Sequence, residues 1–190
     1  MSSSRDELDS ELMRALAEGD DLSLNRLMHA WSQPLIAYLA RLTGNHATAC
    51  DLAQEAFVRV YRHRLRFRPS QKFSTWLFAI AHNLARNQAR WHGRHPETLL
   101  EHEALRELPT LTAHAQPDEQ TIANERVSAL QNAVATLPQE MREVLILSTW
   151  HGMDHAEIAR IQNTSAKAVE IRLYRARRHL RDLLSEQLKP

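Results

Sequence analysis

The chain has 190 residues, with 24 Lys or Arg against 23 Asp or Glu, so its formal net charge at pH 7 is +1. Four Gly and seven Pro leave little room for a turn-rich β fold, and strong helix formers dominate. The single cysteine, Cys50, excludes an internal disulfide and a cysteine-based zinc site. The N-terminus lacks the segments of a signal peptide, and no apolar run reaches membrane-spanning length. We therefore expect an all-α, cytoplasmic protein without direct membrane insertion.

The first part of the chain is predicted to form one helical domain over residues 1–95. A short helix around Leu12 precedes a longer amphipathic helix over residues 21–42, in which Pro34 marks a bend. Gly44-Asn45 ends that helix, and another follows. Ser74 is predicted to cap a further helix, because serine oxygens accept hydrogen bonds from the exposed N–H groups of a first turn.

Charge is distributed unevenly along the chain. Residues 59–94 hold nine Lys or Arg and no acid, whereas residues 97–125 hold seven acids and one base. The acid-rich stretch contains prolines and is weakly periodic, which predicts a flexible linker over residues 96–123. A second small helical domain is predicted over residues 124–190.

Residues 155–184, HAEIARIQNTSAKAVEIRLYRARRHLRDLL, have the pattern of a helix-turn-helix. This motif needs a small residue where the helices cross, a turn residue that tolerates positive φ, and an apolar anchor. Ala159, Asn163 and Val169 meet these needs at the expected spacing. An inward apolar stripe is predicted at Val169, Leu173, Ala176, Leu180 and Leu183. The alternative is a solvated basic helix without a role in DNA binding.

The outer face of the second helix is predicted to contact duplex DNA. Polar and apolar side chains near its N-terminus would reach base edges, and its arginines would reach phosphates. The predicted contacts are Ser165, Lys167, Glu170, Ile171, Arg172, Tyr174, Arg175 and Arg178.

Residues 137–180, LPQEMREVLILSTWHGMDHAEIARIQNTSAKAVEIRLYRARRHL, resemble region four of the extracytoplasmic-function (ECF) sigma factors of the sigma-70 family. The upstream stretches DLAQEAFVRVYRHRLRF and KFSTWLFAIAHNLARNQAR resemble region two of that family. A helix-turn-helix alone also occurs in response regulators, whereas the pairing of both motifs is highly specific. The resemblance implies an alternative sigma factor that binds core RNA polymerase and directs promoter-specific transcription, in response to envelope or environmental stress.

The resemblance also implies roles for residues of region two. The motif DLxQExF places polymerase binding on Asp51, Gln54 and Glu55, although a plain solvated helix face has the same pattern. Cations and aromatic rings suit single-stranded DNA, so the minus-ten element is assigned to Phe67, Arg68, Lys72, Phe73, Trp76, Phe78 and Asn83. Some of these rings must belong to the core, because side chains two apart on a helix cannot both point fully inward.

By the same resemblance, the helix-turn-helix would bind the minus-thirty-five element. One departure affects its sequence preference. Relatives commonly carry GTVKSR where this chain has SAKAVEIR, with Lys167 and Glu170 on the reading face. A glutamate accepts a hydrogen bond from a cytosine amino group or repels phosphate, so the preferred base sequence is left open.

No feature of the sequence indicates catalysis. The close histidine pairs, His92/His95 and His151/His155, lack a thiol or clustered acids that would complete a metal site, so we interpret them as solvent or interface histidines. The sequence shows no glycine-rich phosphate loop. We therefore predict no enzyme activity, no cofactor, no metal and no small-molecule substrate.

Two other functions fit parts of the pattern. One is a helix-turn-helix regulator whose N-terminal domain senses a ligand or partner, and the other is an adaptor whose basic helices meet an acidic protein. A sensor domain need not combine a polymerase-binding helix with an acid-free aromatic span. The resemblance further implies a dedicated anti-sigma factor, membrane-linked, as a regulatory partner.

Overall fold

The computed structural model describes residues 2–94 and 132–187, and all regular elements within these ranges are helical. This confirms the all-α prediction. The predicted linker over residues 96–123 and both of its boundaries lie outside the described residues. The elements in chain order are α1 (Ser2–Ala17), α2 (Leu22–Thr43), α3 (His46–Arg62), a 3₁₀ turn (Arg64–Arg66), α4 (Phe73–Arg94), α5 (Gln139–Trp150), α6 (His155–Gln162) and α7 (Ala166–Gln187).

The junction between α2 and α3 follows the sequence prediction. Pro34 lies inside α2, which ends at Gly44 with a left-handed φ of 72° that suits a residue without a Cβ atom. The Gly44 N–H donates to the Ala40 carbonyl oxygen at 2.9 Å. Asn45 then caps α3, because its side-chain oxygen accepts the Thr48 N–H at 3.0 Å. The chain therefore reverses direction within two residues and packs α3 against α2.

Aromatic rings from α2 and α4 fill the core of the first domain. Trp31 contacts Phe73 and Phe78 edge-on, with ring centroids 6.2 and 6.3 Å apart. Tyr38 and Phe78 are fully buried, with centroids 5.0 Å apart. Burial of side chains of this size contributes about 1.5–3 kcal/mol each. These rings fix α4 against α2 and thereby set which face of α4 is exposed.

The prediction that Ser74 caps α4 is wrong, because the helix already begins at Phe73. The Lys72 carbonyl oxygen accepts the Trp76 N–H at 3.2 Å, which is the first bond of the helical ladder. Ser74 therefore lies within the first turn. The error is small, as helix ends read from sequence are uncertain by a residue or two.

The second domain consists of α5, α6 and α7, and the five residues 132–136 before Pro138 are helical as well. Val144, Ile146 and Leu147 of α5 are fully buried. A reciprocal capping box starts α6, since Asp154 accepts the Glu157 N–H at 2.8 Å and its own N–H donates to the Glu157 carboxylate at 2.9 Å.

No helix within residues 2–94 and 132–187 is long and apolar enough to cross a membrane.

Candidate nucleic-acid interface

The helices α6 and α7 form the helix-turn-helix that the sequence predicts. Asn163 ends α6 with φ 51° and ψ 55°, so the turn residue adopts the left-handed conformation expected of it. Ala159 is buried where the helices cross, and Val169 is fully buried. The stripe continues through Leu173, Ala176 and Leu180, which are buried, and Leu183, which is partly buried. The opposite face of α7 is consequently left to solvent.

Most of the predicted duplex contacts lie on this exposed face. Ile171 and Tyr174 are 42% and 66% exposed, which is unusual for large apolar side chains and leaves them available to base edges. Arg175 and Arg178 are exposed beside them. Ser165 has a second role, because its hydroxyl oxygen accepts the Ala168 N–H at 3.1 Å and stabilises the start of α7.

Lys167 and Glu170, the departures from the family pattern, pair with each other. The Lys167 Nζ lies 2.9 Å from a Glu170 carboxylate oxygen, and both side chains are exposed. The hydrogen bond and positive charge of Lys167 lower the pKa of Glu170 below its usual value. Glu170 is therefore ionised at neutral pH and presents an acceptor within an otherwise basic face.

Arg172 differs from the other predicted duplex contacts. It is partly buried, and its Nη2 lies 2.5 Å from the Glu140 carboxylate of α5. Its Nη1 donates to the Gln162 side-chain oxygen at 2.8 Å. The guanidinium is held against α5 and α6 in this arrangement, and its contact with phosphate stays a prediction.

On α3, the three residues predicted to bind polymerase occupy one side of the helix. Asp51 and Gln54 are exposed, and Glu55 is partly exposed with an intrahelical ion pair to Arg59 at 2.9 Å. Val58 continues the same face and is 42% exposed. The sequence prediction missed Val58, although its spacing of four from Gln54 places it on that face. We call Asp51, Gln54, Glu55 and Val58 the α3 face.

The residues assigned to single-stranded DNA divide into two groups. Phe73 and Phe78 are 0% exposed and serve the core, so their rings are not accessible to a base in this arrangement. Phe67 and Trp76 are partly buried, with centroids 5.3 Å apart, and line the start of α4. The structure thus separates the core rings from the accessible rings, which the sequence could not do.

The polar members of the same set lie nearby. Arg68 and Asn83 are exposed, and the Asn83 amide donates to the Ala79 carbonyl oxygen at 2.9 Å within α4. Lys72 instead pairs with Glu157 of α6 at 2.8 Å and with Asp6 of α1 at 3.6 Å. The hydrogen bond to Glu157 raises the pKa of Lys72. One predicted phosphate contact is therefore engaged by the second domain.

The two domains meet around a buried carboxylate that the sequence did not indicate. Glu143 of α5 is 1% exposed, and its oxygens accept hydrogen bonds from the Tyr38 hydroxyl of α2, from His82 Nδ1 of α4 at 2.7 Å, and from Gln162 Nε2 of α6 at 2.7 Å. Because a carboxylate only accepts, His82 must donate from Nδ1. Burial first, and the adjacent Glu143 charge second, raise the pKa of Tyr38 well above its usual value. We call Tyr38, His82, Glu143 and Gln162 the Glu143 cluster.

His151 packs beside the Glu143 cluster. Its ring contacts Phe78 and Tyr38 of the first domain, with centroids 4.8 and 5.9 Å apart. Burial and the charge of Arg41 lower its pKa from 6.5 to about 4, so the ring is neutral at pH 7. His151 thus lies at the contact between the two domains. Among the described residues, no three His, Cys, Asp or Glu side chains gather in a way that could hold a metal ion.

Comparisons with known proteins agree with this two-part organisation. Residues 27–95 match the family model Sigma-70 region 2, and residues 128–180 match Sigma-70, region 4. The chain is similar to RNA polymerase sigma factor CarQ of Myxococcus xanthus, with 36% identity over 78% of this chain and 82% of CarQ. It is also similar to the ECF RNA polymerase sigma-E factor of Escherichia coli strain K12, with 27% identity over 89% of this chain and 90% of that protein.

Two solved structures are similar to most of the chain. CnrH in complex with the cytosolic domain of CnrY has a TM-score of 0.70 and 25% identity, and the match covers 95% of this chain and 99% of CnrH. The sigma factor RpoE of Bartonella quintana, in complex with the anti-sigma factor NepR, has a TM-score of 0.66 and 23% identity, over 85% of this chain and 96% of RpoE. At that identity the second likeness concerns the fold alone.

Proposed function

We propose which surfaces of this chain bind core RNA polymerase and which bind each element of a two-element promoter. The chain belongs to the ECF sigma factors of the sigma-70 family. Sigma factors direct transcription initiation and are not enzymes, and we assign no catalysis to this chain. A regulator with an unrelated sensor domain would not match region two over residues 27–95. The observation that carries the proposal is the pairing of that region with an exposed helix-turn-helix face on α7.

Polymerase binding is assigned to the α3 face. Its two exposed polar side chains, Asp51 and Gln54, and its exposed Val58 form a continuous strip along one helix. Acidic and amide groups suit a basic partner surface, and an exposed valine adds apolar contact area. Within residues 2–94 and 132–187, no hydrogen bond or ion pair joins the side chains of this strip to the second domain, which supports its use as a docking site for polymerase.

Minus-ten recognition is assigned to those residues of the predicted minus-ten set whose side chains are accessible. The half-buried rings Phe67 and Trp76 can stack on unpaired bases, and the exposed Asn83 amide can hydrogen-bond to a base edge. Arg68 and Lys72 can contact phosphates. Phe73 and Phe78 support this surface from the core beneath it.

Minus-thirty-five recognition is assigned to the exposed face of α7. Ile171 and Tyr174 supply apolar contact area, for example to a thymine methyl group. The Lys167–Glu170 pair presents a donor and an acceptor side by side. Arg175 and Arg178 supply phosphate contacts that fix the helix on the duplex.

Regulation by an anti-sigma factor, linked to the membrane, is the remaining part of the proposal. The similar protein CnrH, 25% identical to this chain, forms a complex with the cytosolic domain of CnrY. The sigma factor itself would act in the cytoplasm, where polymerase and promoter DNA meet. Release from such a partner under envelope or environmental stress is the proposed signal.

Run-off transcription tests the proposal directly. The full chain is added to purified core polymerase and a promoter library, and discrete transcripts with shared upstream elements are the expected result. A vegetative sigma factor on its own promoter serves as the positive control for core activity. If core polymerase neither binds the chain nor yields any transcript with it, the proposed function is wrong.

A further inference from the structure

We propose that the ion pair between Lys167 and Glu170 reads one G·C base pair of the minus-thirty-five element, with Lys167 donating to the guanine and Glu170 accepting from the cytosine. This inference rests on the proposed function, because it names the base pair that the helix-turn-helix would recognise. It concerns a site at which this chain departs from the family pattern, so the resemblance does not supply it.

Lys167 and Glu170 carry the polar groups at the start of α7. In a helix-turn-helix, residues near the N-terminus of the second helix contact base edges. The first six residues of α7 are AKAVEI, and among them the lysine and the glutamate alone have side chains that form hydrogen bonds. Ser165, just before the helix, uses its hydroxyl oxygen to accept the Ala168 N–H at 3.1 Å. Polar contacts between this part of the helix and base edges therefore fall to the pair.

Both side chains are accessible and retain hydrogen-bonding capacity. The side chains of Lys167 and Glu170 are 72% and 53% exposed, and the Lys167 Nζ lies 2.9 Å from the Glu170 Oε2. An ammonium group has three N–H donors, and a carboxylate has two oxygens that accept. The ion pair uses one donor and one oxygen. Lys167 therefore keeps two donors, and Glu170 keeps its second oxygen, for contacts with DNA.

A G·C pair presents the complementary groups in the major groove. The guanine edge carries two adjacent acceptors, N7 and O6, which a lysine can contact, and the cytosine edge carries the N4 amino donor, which a glutamate can accept. Guanine O6 and cytosine N4 are joined by a base-pair hydrogen bond, so they lie about 2.9 Å apart. The donor and acceptor of the ion pair, at 2.9 Å, thus face an acceptor and a donor at a similar spacing.

An A·T pair matches these side chains less well. Adenine carries one acceptor, N7, beside its N6 donor, so the two remaining donors of Lys167 do not find two adjacent acceptors there. Thymine adds a methyl group at the same edge, which gains nothing from a charged neighbour. The arrangement of donors and acceptor therefore favours G·C over A·T.

Phosphate is not a suitable partner for Glu170. The hydrogen bond and charge of Lys167 hold the pKa of this carboxyl group below its usual value, so it is ionised at neutral pH and is repelled by the DNA backbone. Residues 166–181 contain six Lys or Arg and one acid, Glu170. The donors that the major groove offers to a carboxylate are the amino groups of cytosine and adenine. An acid at this place in a basic face therefore favours contact with a base.

Selection of DNA by the holoenzyme tests the assignment. The full chain is assembled with core polymerase and mixed with promoter duplexes that are randomised in the minus-thirty-five region, and the bound DNA is sequenced. Glu170→Gln keeps the size of the side chain but replaces the carboxylate with an amide, which suits adenine N6 and N7. Lys167→Met removes the donors. Asp182→Asn is the matched control, because it also removes a negative charge from an exposed acid of α7, one that lies 3.9 Å from Arg178.

We expect the wild-type holoenzyme to enrich G·C at one position about tenfold over the other base pairs, which is within the range for a good base contact. Glu170→Gln should move the preference at that position to A·T, and Lys167→Met should lose most of the preference for guanine. Asp182→Asn should strengthen binding to all sequences by a similar factor and leave the preference unchanged. The altered side chains are exposed, so the fold should be preserved.

Two results would overturn the assignment. One is an enriched element in which no G·C position responds to Glu170→Gln or Lys167→Met, and the other is a uniform change of affinity in Glu170→Gln like that of Asp182→Asn. A wild-type holoenzyme that binds the library but enriches no upstream element would instead show that the proposed minus-thirty-five function is itself wrong. The sequences enriched by the wild type therefore distinguish failure of the base assignment from failure of the proposed function.

Discussion

The first domain carries the two faces proposed to bind polymerase and minus-ten DNA on neighbouring helices, α3 and α4, and these faces differ in their contacts with the second domain. The α3 face is exposed, and Glu55 makes an ion pair with Arg59 on the same helix. The face of α4 is partly covered, since His82 bonds to Glu143 and Lys72 at its start bonds to Glu157. The same domain therefore leaves the surface proposed for polymerase exposed, whereas the surface proposed for minus-ten DNA is partly covered.

This difference indicates the order of events on the way to initiation. A closed molecule, in which the two domains are packed together, can dock on polymerase through the α3 face while its DNA surfaces remain in the wrong relative position. Polymerase that binds the separated domains better would then shift the population towards the open state, by as much as its affinities for the two states differ. An anti-sigma factor that also binds the closed state would oppose the same equilibrium.

The largest expected effect comes from charge reversal on the open face. Asp51→Lys combined with Glu55→Lys should weaken core polymerase binding about a hundredfold, or about 2.7 kcal/mol, because two acids are replaced by bases facing a basic surface. Glu18→Lys, at an exposed site after α1, is the control. Affinity is measured by titration of labelled protein with core. Unchanged affinity would remove the α3 face from the polymerase site.

On α4, whose face is partly covered by the second domain, Asn83→Ala should slow promoter opening about tenfold, which corresponds to about 1.4 kcal/mol. The exposed amide is assigned to a flipped base, and core binding should not change. Asn87→Ala is a matched control, one turn further along α4 and equally exposed. Permanganate footprinting or a fluorescent base reports opening. Equal effects of the two substitutions would contradict a specific role for Asn83.

Acid should open the interface through His151. Its pKa is about 4 in the closed state and near 6.5 once exposed to water, so the open state binds the proton more strongly. The contribution of His151 to closure is complete above pH 6.5 and is lost as the pH falls from 6.5 towards 4. From pH 7.5 to 5.5 the open-to-closed ratio should rise about tenfold from this group alone.

The control for this effect is His151→Phe, which keeps a ring against Phe78 and Tyr38. His82 and Glu143 lie in the same interface and are present in both proteins, so the difference between the two pH profiles isolates His151. Energy transfer between dyes on the first domain and on α7 is measured at each pH. Parallel profiles for the two proteins would show that His151 does not couple protonation to opening.

The smallest effect is expected on the exposed face of α7, which carries Ile171, Tyr174 and Arg175. Arg175→Ala should reduce the slope of log affinity against log salt by about 0.9, the value for one phosphate contact, with a similar loss on every promoter sequence. Glu170→Ala should instead change base preference. Titrations on promoter variants at several salt concentrations separate the two. A uniform effect of Glu170→Ala would contradict base reading.

Local features of the molecule could be predicted from sequence because their causes lie close together in the chain. Asn163 adopts positive φ, and Val169 and Leu173 are buried, as the helix-turn-helix spacing requires. The burial of individual rings could not be predicted, since hydrophobicity alone does not distinguish the core residues Phe73 and Phe78 from the partly buried Phe67. That distinction depends on which side of α4 packs against Trp31 and Tyr38 of α2.

The interface between the domains could not be predicted, because its partners are far apart in sequence. Glu143 bonds to Tyr38, 105 residues away, and to His82, 61 residues away. Glu143 lies within the apolar helix α5, and no residue near it in sequence indicates which groups donate hydrogen bonds to it. Arg172 was assigned to phosphate from its charge and position, and only tertiary packing shows its pairing with Glu140.

The central claim, that this sigma factor is closed when free and must open to initiate, is tested most directly by one series of dye-transfer measurements. Transfer between the first domain and α7 is recorded for the free protein, after addition of core polymerase, and after addition of promoter DNA. We predict high transfer in the free protein and low transfer in complexes that then yield transcript on addition of nucleotides. High transfer that persists in transcribing complexes would contradict the claim.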